Sequence, residues 1–214
     1  MHKFNSIIEQ VHESFETRTK VRDEMLKQAR FLTRHCANAI RAVHRMEHET
    51  AQQHIAEART LATSLSQNQD EHPDFFYAGY TQDALKEYAE AHLTYAFVNH
   101  QPIPTPEAIN LEPVAYLKGM AEAAGELRRR SLDVLRQGDS DEAIYLLDTM
   151  DEIYTALVTM DYPNAITGGL RRMTDILRSI VERTRGDLTM SLRQERLEAR
   201  LRVFEEKLAK RSAA

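Results

Sequence analysis

From Phe4 to Gln67 no glycine or proline interrupts the chain, and apolar residues recur at helical spacing. With about 100° per residue, Met25, Leu32, Cys36, Ile40 and Val43 share one side of the segment 22–45, and charged residues take the other. The pattern predicts one or two very long helices with a break near Glu47–Thr50. A polar loop from Ser66 to Pro73 follows. A second helical stretch runs from about Asp74 to His100 and stops at Pro102-Ile-Pro-Thr-Pro106. The third begins at Glu112 or Pro113, proline suiting the first helical position, and reaches Gln137. Gly138 then reads as a helix stop, and Asp139 or Ser140 as the N-cap of a fourth helix ending near Met160. Asp161-Tyr162-Pro163 opens a fifth helix to Arg185. Gly186-Asp187 repeats the stop-and-restart signal and predicts a charged, peripheral last helix from about residue 187 to Lys210. The fold class expected is all-α: one helical domain over residues 1–214, a bundle of about six to seven long antiparallel helices.

Composition narrows the picture. Six prolines and seven glycines in 214 residues are too few for the turns of a β-sheet protein. No apolar run approaches the roughly 18 residues of a membrane span, so no membrane role is expected. Met1-His-Lys-Phe-Asn5 lacks the apolar centre of a signal peptide. One cysteine, Cys36, excludes an intramolecular disulfide and suits a reducing compartment. These observations lead to an expected cytoplasmic location. Few aromatic residues and no tryptophan suggest cores completed against other subunits, hence an oligomer.

A net charge of −5 does not advertise a polyanion partner, but local stripes matter more than sums. With Arg30 at zero, Arg41 falls near about 20°, Arg34 near about 40°, and Lys27 and Arg45 near about 60°. Five cations therefore share a narrow sector, with no acid between Glu24 and Glu47. Such a stripe suits a phosphate backbone, which arginine grips in a bidentate fork; a solvated helix face is the plain alternative. His35 and His44, which flank it, read as structural hydrogen-bonders. The charges of 193–211 fit either a solvated helix stapled by i,i+4 ion pairs or a partner-binding face.

Four acids form a second pattern. Glu87 and Glu90 lie three apart on one expected helix, and Glu122 and Glu126 four apart on the next. Each pair projects from one helical face. If the faces meet, hard oxygen donors suited to Mg²⁺ or Mn²⁺ converge; if not, they are surface acids, Glu126 pairing with Arg129 or Arg130. Gly119 and Gly125 weaken the same helix, which makes sense if another backbone packs close to it. Cys36, on the apolar side, is no nucleophile.

The text of the chain also resembles a known family. Arg34-His-Cys-Ala-Asn-Ala-Ile-Arg-Ala-Val-His-Arg45 resembles the first conserved block of the translin family. Pro113-Val-Ala-Tyr-Leu-Lys-Gly-Met-Ala-Glu-Ala-Ala-Gly-Glu-Leu-Arg128 is similar to its central block. Tyr162-Pro163, Leu170-Arg-Arg-Met-Thr-Asp175 and Arg185-Gly186 are similar to its C-terminal block. Glu87-Tyr-Ala-Glu90 resembles the acidic segment of the branch named for translin-associated factor X, which carries a metal-dependent ribonuclease site. The resemblance implies catalytic and metal-holding roles for Glu87, Glu90, Glu122 and Glu126, with Mg²⁺ (or Mn²⁺) as cofactor. Glu122 stands where the family has an aspartate, one methylene shorter. It further implies a hollow, roughly octameric shell, homomeric or shared with a translin-like paralogue. Lys27, Arg30, Arg34, Arg41 and Arg45 would face its interior near the glutamates and hold single-stranded RNA or DNA. Two activities follow as expectations: a metal-dependent endoribonuclease, or a non-catalytic translin-like container for single strands.

Overall fold

A computed structural model describes residues 2–212. Among the described residues there is no strand. Six long helices and two one-turn helices occur: α1 (His2–His44), α2 (His48–Ser66), α3 (Pro73–Phe76), α4 (Gly79–Val98), α5 (Pro113–Arg136), α6 (Ser140–Val158), α7 (Asn164–Thr167) and α8 (Leu170–Ser212). The chain is all-α, as its periodicity and composition require. Two compact units, residues 1–120 and 121–214, divide it, and the boundary falls within the continuous helix α5.

In the first unit α1 packs along both α2 and α4, and α2 packs on α4. The α1–α2 turn sits where a break was expected: Met46 takes a left-handed conformation (φ 60°), and the Glu47 amide donates to the Ala42 carbonyl at 2.9 Å. Helix α4 is the central element. Ala84, Leu85, Tyr88, Ala89, Ala91, His92, Leu93, Ala96 and Phe97 are all buried, so it is covered on nearly every side. Such a helix belongs in the middle of a bundle, and no single apolar stripe announces it. The stretch expected from Asp74 to His100 is divided, because Tyr77 and Ala78 leave helical geometry between α3 and α4. Around that division the Phe75 and Phe76 carbonyls accept bonds from Thr81 Oγ1 (2.8 Å) and Gln82 Nε2 (2.9 Å).

In the second unit α6 packs on α8. Gly138 (φ 83°) stops α5, and the Asp139 carboxylate caps α6 by accepting from the Glu142 amide at 3.1 Å. The break placed at Gly186-Asp187 does not occur, and there is no separate last helix from residue 187: α8 is one helix from Leu170 to Ser212. Its neighbours explain the continuity. Arg128 donates to Thr184 Oγ1 and to Asp187 Oδ2, each at 2.8 Å, and Arg185 reaches Asp151 at 2.7 Å. Side chains on both sides of Gly186 are thus anchored in helical register, outweighing the roughly 1 kcal/mol that an interior glycine costs. The true stop is the pair Gly168 (φ 57°) and Gly169 (φ 93°) between α7 and α8.

Candidate functional site

Helix α4 carries Glu87 and Glu90 one turn apart. Glu90 is buried, and Glu87 is partly exposed and lies 3.5 Å from Lys86 Nζ. The N-terminal part of α5 is pressed directly onto this turn. A Cβ on Gly119 would lie 2.4 Å from Ala89 Cβ, 2.6 Å from the Lys86 carbonyl oxygen and 2.8 Å from the Glu90 amide nitrogen. Only glycine permits that approach, so the expectation of a close backbone holds at position 119. At Gly125 a Cβ would meet nothing within 4 Å, and no such reason applies there.

Glu122 follows Gly119 by less than one turn of the same helix. Glu87, Glu90 and Glu122 each offer a carboxylate oxygen, and these atoms lie within 4.8 Å of one another. Glu126, one turn further on, is outside this group and makes an ion pair with Arg129 at 3.7 Å. The donor set is all oxygen, which matches Mg²⁺ or Mn²⁺ rather than a soft metal.

Behind the glutamates lie Cys36, expected on the apolar side, and two residues that sequence inspection did not single out, Tyr88 and His92. Cys36 is fully buried; burial pushes its thiol far up, and the nearby Glu87 and Glu90 charges push it the same way. It is a core residue, inert as a nucleophile. Tyr88 and His92 stack edge to face with ring centroids 4.6 Å apart. Burial raises the Tyr88 hydroxyl to about 12, and burial together with the Arg59 charge lowers His92 to about 4. His92 is therefore a neutral ring at ordinary pH. Among the described residues, buried Tyr88 Oη and His92 Nε2 find no hydrogen-bond partner. Their i,i+4 spacing on α4 was the one available signal, and it reads equally as ordinary core.

Lys27, Arg30, Arg34, Arg41 and Arg45 are all exposed along α1. Lys27 pairs with Glu24 at 3.4 Å, and Arg41 donates to Asn38 Oδ1 at 2.8 Å. On the helical wheel the stripe lies about 180° from the core line Leu32, Cys36, Ala39 and Val43. Helix α4, which carries Glu87 and buried Glu90, packs against α1, and Cys36 on the core line feels both glutamate charges. Within one copy of the chain, then, the stripe and this glutamate pair lie on opposite sides of α1. His35 meets His54 across the α1–α2 hairpin, Nδ1 to Nδ1 at 3.2 Å, as a structural hydrogen-bonding role requires.

Among the described residues, no helix is long and apolar enough to cross a membrane. Comparison with known proteins gives a consistent answer. An uncharacterized protein of Methanocaldococcus jannaschii is 30% identical over 187 residues, which is 85% of this chain and 81% of that protein. Two solved structures superpose well. AfC3PO in complex with duplex RNA has a TM-score of 0.78 at 30% identity, over 86% of this chain and 95% of that one. Apo-NeC3PO has a TM-score of 0.79 at 21% identity, over 86% and 96%, and at that identity speaks for the fold alone. The sequence profile of the translin family matches residues 20–186. With the helical order above and the three conserved-block resemblances, the chain belongs to the translin family.

Proposed function

We propose that this chain is a metal-dependent endoribonuclease of the factor X branch of its family. The observation that carries the reading is the approach of Glu87, Glu90 and Glu122 within 4.8 Å, next to a glycine contact that lets α5 lie on α4. Converging carboxylate oxygens are the hard donors that a divalent cation such as Mg²⁺ takes. Glu87, Glu90 and Glu122 would hold Mg²⁺ or Mn²⁺, with Glu126 adjoining. When bound, such an ion supplies Lewis acidity toward a phosphoryl oxygen and toward an attacking water. A glutamate Oε would take the proton as the water oxygen bonds to phosphorus and the P–O bond to the leaving sugar oxygen breaks; partly exposed Glu87 is better placed than buried Glu90 to exchange that proton with solvent. Buried Glu90 fixes the geometry of the group.

RNA as substrate is supported by AfC3PO, 30% identical, which holds duplex RNA. That relative also widens the expected substrate from single strands alone to RNA that includes a duplex. The exposed cations Lys27, Arg30, Arg34, Arg41 and Arg45 anchor phosphates without reading sequence. Because they lie across α1 from the Glu87 and Glu90 pair, they act as a track for the strand, and the scissile phosphate is positioned by other groups. Assembly into an octameric shell, alone or with a translin-like paralogue, would bring one copy's track to another copy's carboxylates.

A second reading, a non-catalytic RNA container, is favoured by Glu122 standing in place of the family aspartate. Incubation of the chain with labelled RNA and Mg²⁺, with and without EDTA, separates the two. Mg²⁺-dependent product formation supports the nuclease; tight binding with no cleavage under Mg²⁺ or Mn²⁺ leaves only the container.

A further inference from the structure

Helix α8 runs about seven turns past the last residue matched by the family profile, Arg185-Gly186 marking that edge. Its early part turns Leu177, Val181 and Leu188 into the core of the second unit. Farther along, Ser140 Oγ donates to Glu195 at 2.8 Å, so the Glu195 side faces the start of α6. On the opposite side Met190, Leu197, Leu201, Phe204 and Leu208 stand 47–66% exposed. Their spacing of seven, four, three and four residues is that of a heptad seam, with Gln194 as its one polar member.

The flanking charges select the occupant. With Leu197 and Phe204 at d and Leu201 and Leu208 at a, the g positions are Arg193, Arg200 and Lys207, and the e positions are Glu198 and Glu205. Arg193 and Glu198, and likewise Arg200 and Glu205, are five residues apart. That is the offset at which g of one helix meets e of a parallel partner. An antiparallel pair would set arginine against arginine and glutamate against glutamate. Among the described residues no ion pair links two charges of the 193–211 segment; Gln194 donates to Glu198 at 3.1 Å instead. The exposed stripe on α1, Phe4, Ile8, Val11 and Phe15, has Asn5, His12, Ile7 and Ser14 at the matching flanks and offers no charges in answer.

We propose that the C-terminal part of α8 forms a parallel, in-register two-stranded coiled coil with a second copy of this chain. The contact is isologous, each copy giving the same stripe and the same ladder of charges. It is independent of the nuclease reading and lies outside the family-matched region. The test uses the full chain carrying Leu201→Cys. The native cysteine, Cys36, is fully buried and does not compete. Mild oxidation should give a disulfide-linked dimer, because an a position faces its own counterpart only in a parallel pair. Leu201→Lys with Phe204→Lys should lower the native mass twofold or more while leaving helical circular dichroism unchanged. Absence of the cross-link, or an unchanged mass for the lysine variant, overturns the proposal. So does a cross-link that forms only when Leu201→Cys chains are mixed with Phe15→Cys chains, which would make the α1 stripe the occupant.

Discussion

Replacing Gly119 by alanine perturbs the candidate site without touching a charge. The new methyl carbon would sit 2.4 Å from Ala89 Cβ, against an optimal carbon–carbon separation of about 3.5–4.0 Å. Two of its three nearest atoms, the Lys86 carbonyl oxygen and the Glu90 amide nitrogen, are backbone and have no rotamer to yield. Helices α4 and α5 must therefore separate by more than about 1 Å locally. Overpacking of this kind costs about 1–3 kcal/mol, while alanine returns up to about 1 kcal/mol of helix propensity. The net expectation is a loss of about 1–2 kcal/mol. For a chain of this length that lowers the thermal midpoint by roughly 2–8 °C. Gly125→Ala is the matched control, since its methyl meets nothing within 4 Å; it should gain up to about 1 kcal/mol by propensity alone. Thermal or urea unfolding of both variants beside the parent chain measures the difference. A Gly119→Ala protein as stable as the parent, or more so, would refute the close approach.

Other expectations follow from the same interior and surface. His92, lowered to about 4 by burial and Arg59, binds its proton later in the fold than in the unfolded chain. Its contribution to stability is complete above about pH 6.5 and is lost as pH falls toward 4, at up to about 1.4 kcal/mol per pH unit. His92→Gln should flatten that part of the urea-midpoint profile, and identical slopes would contradict the assignment. Tyr88→Phe removes a buried hydroxyl with no partner among the described residues, so stability should be unchanged or higher by about 1 kcal/mol; a marked loss would reveal a hidden hydrogen bond. If the α1 stripe tracks phosphates, Arg34→Ala should reduce the salt dependence of RNA binding by about 0.7 in log–log slope. An unchanged slope in a variant lacking Arg30, Arg34 and Arg41 together would remove the stripe from the interface.

Much of the architecture was legible because local rules and tertiary structure agree. Proline at the start of α5, Gly138 followed by the Asp139 cap, and the long glycine-free run of α1 and α2 each act through near neighbours in sequence. The misplaced break at Gly186 shows where such rules yield. Its signal matched that at Gly138, but Arg128 and Asp151, distant in sequence, hold the flanking turns of α8. Gly168-Gly169 carries a turn signal of its own as a glycine pair, and its left-handed angles show that the chain uses it. At the site, spacing put Glu87 and Glu90 on one face, yet the approach of Glu122 depends on the Gly119 contact, which spacing alone left open. Tyr88 and His92 stayed unread because α4 is buried on nearly every side, so no amphipathic contrast marks them.

The central claim is that the Glu87, Glu90 and Glu122 group cuts RNA. Its most direct test is the single-turnover cleavage rate of a labelled RNA in Mg²⁺ for the parent chain and for Glu90→Gln, with RNA affinity measured in parallel. The glutamine variant keeps the shape of the buried side chain and removes its charge. The expected result is a fall of about 10²-fold or more, the scale of a lost acid–base or charge-stabilising group, with affinity held within a few-fold. Cleavage at the parental rate in Glu90→Gln would contradict the account, as would a parent chain that binds the RNA and never cuts it.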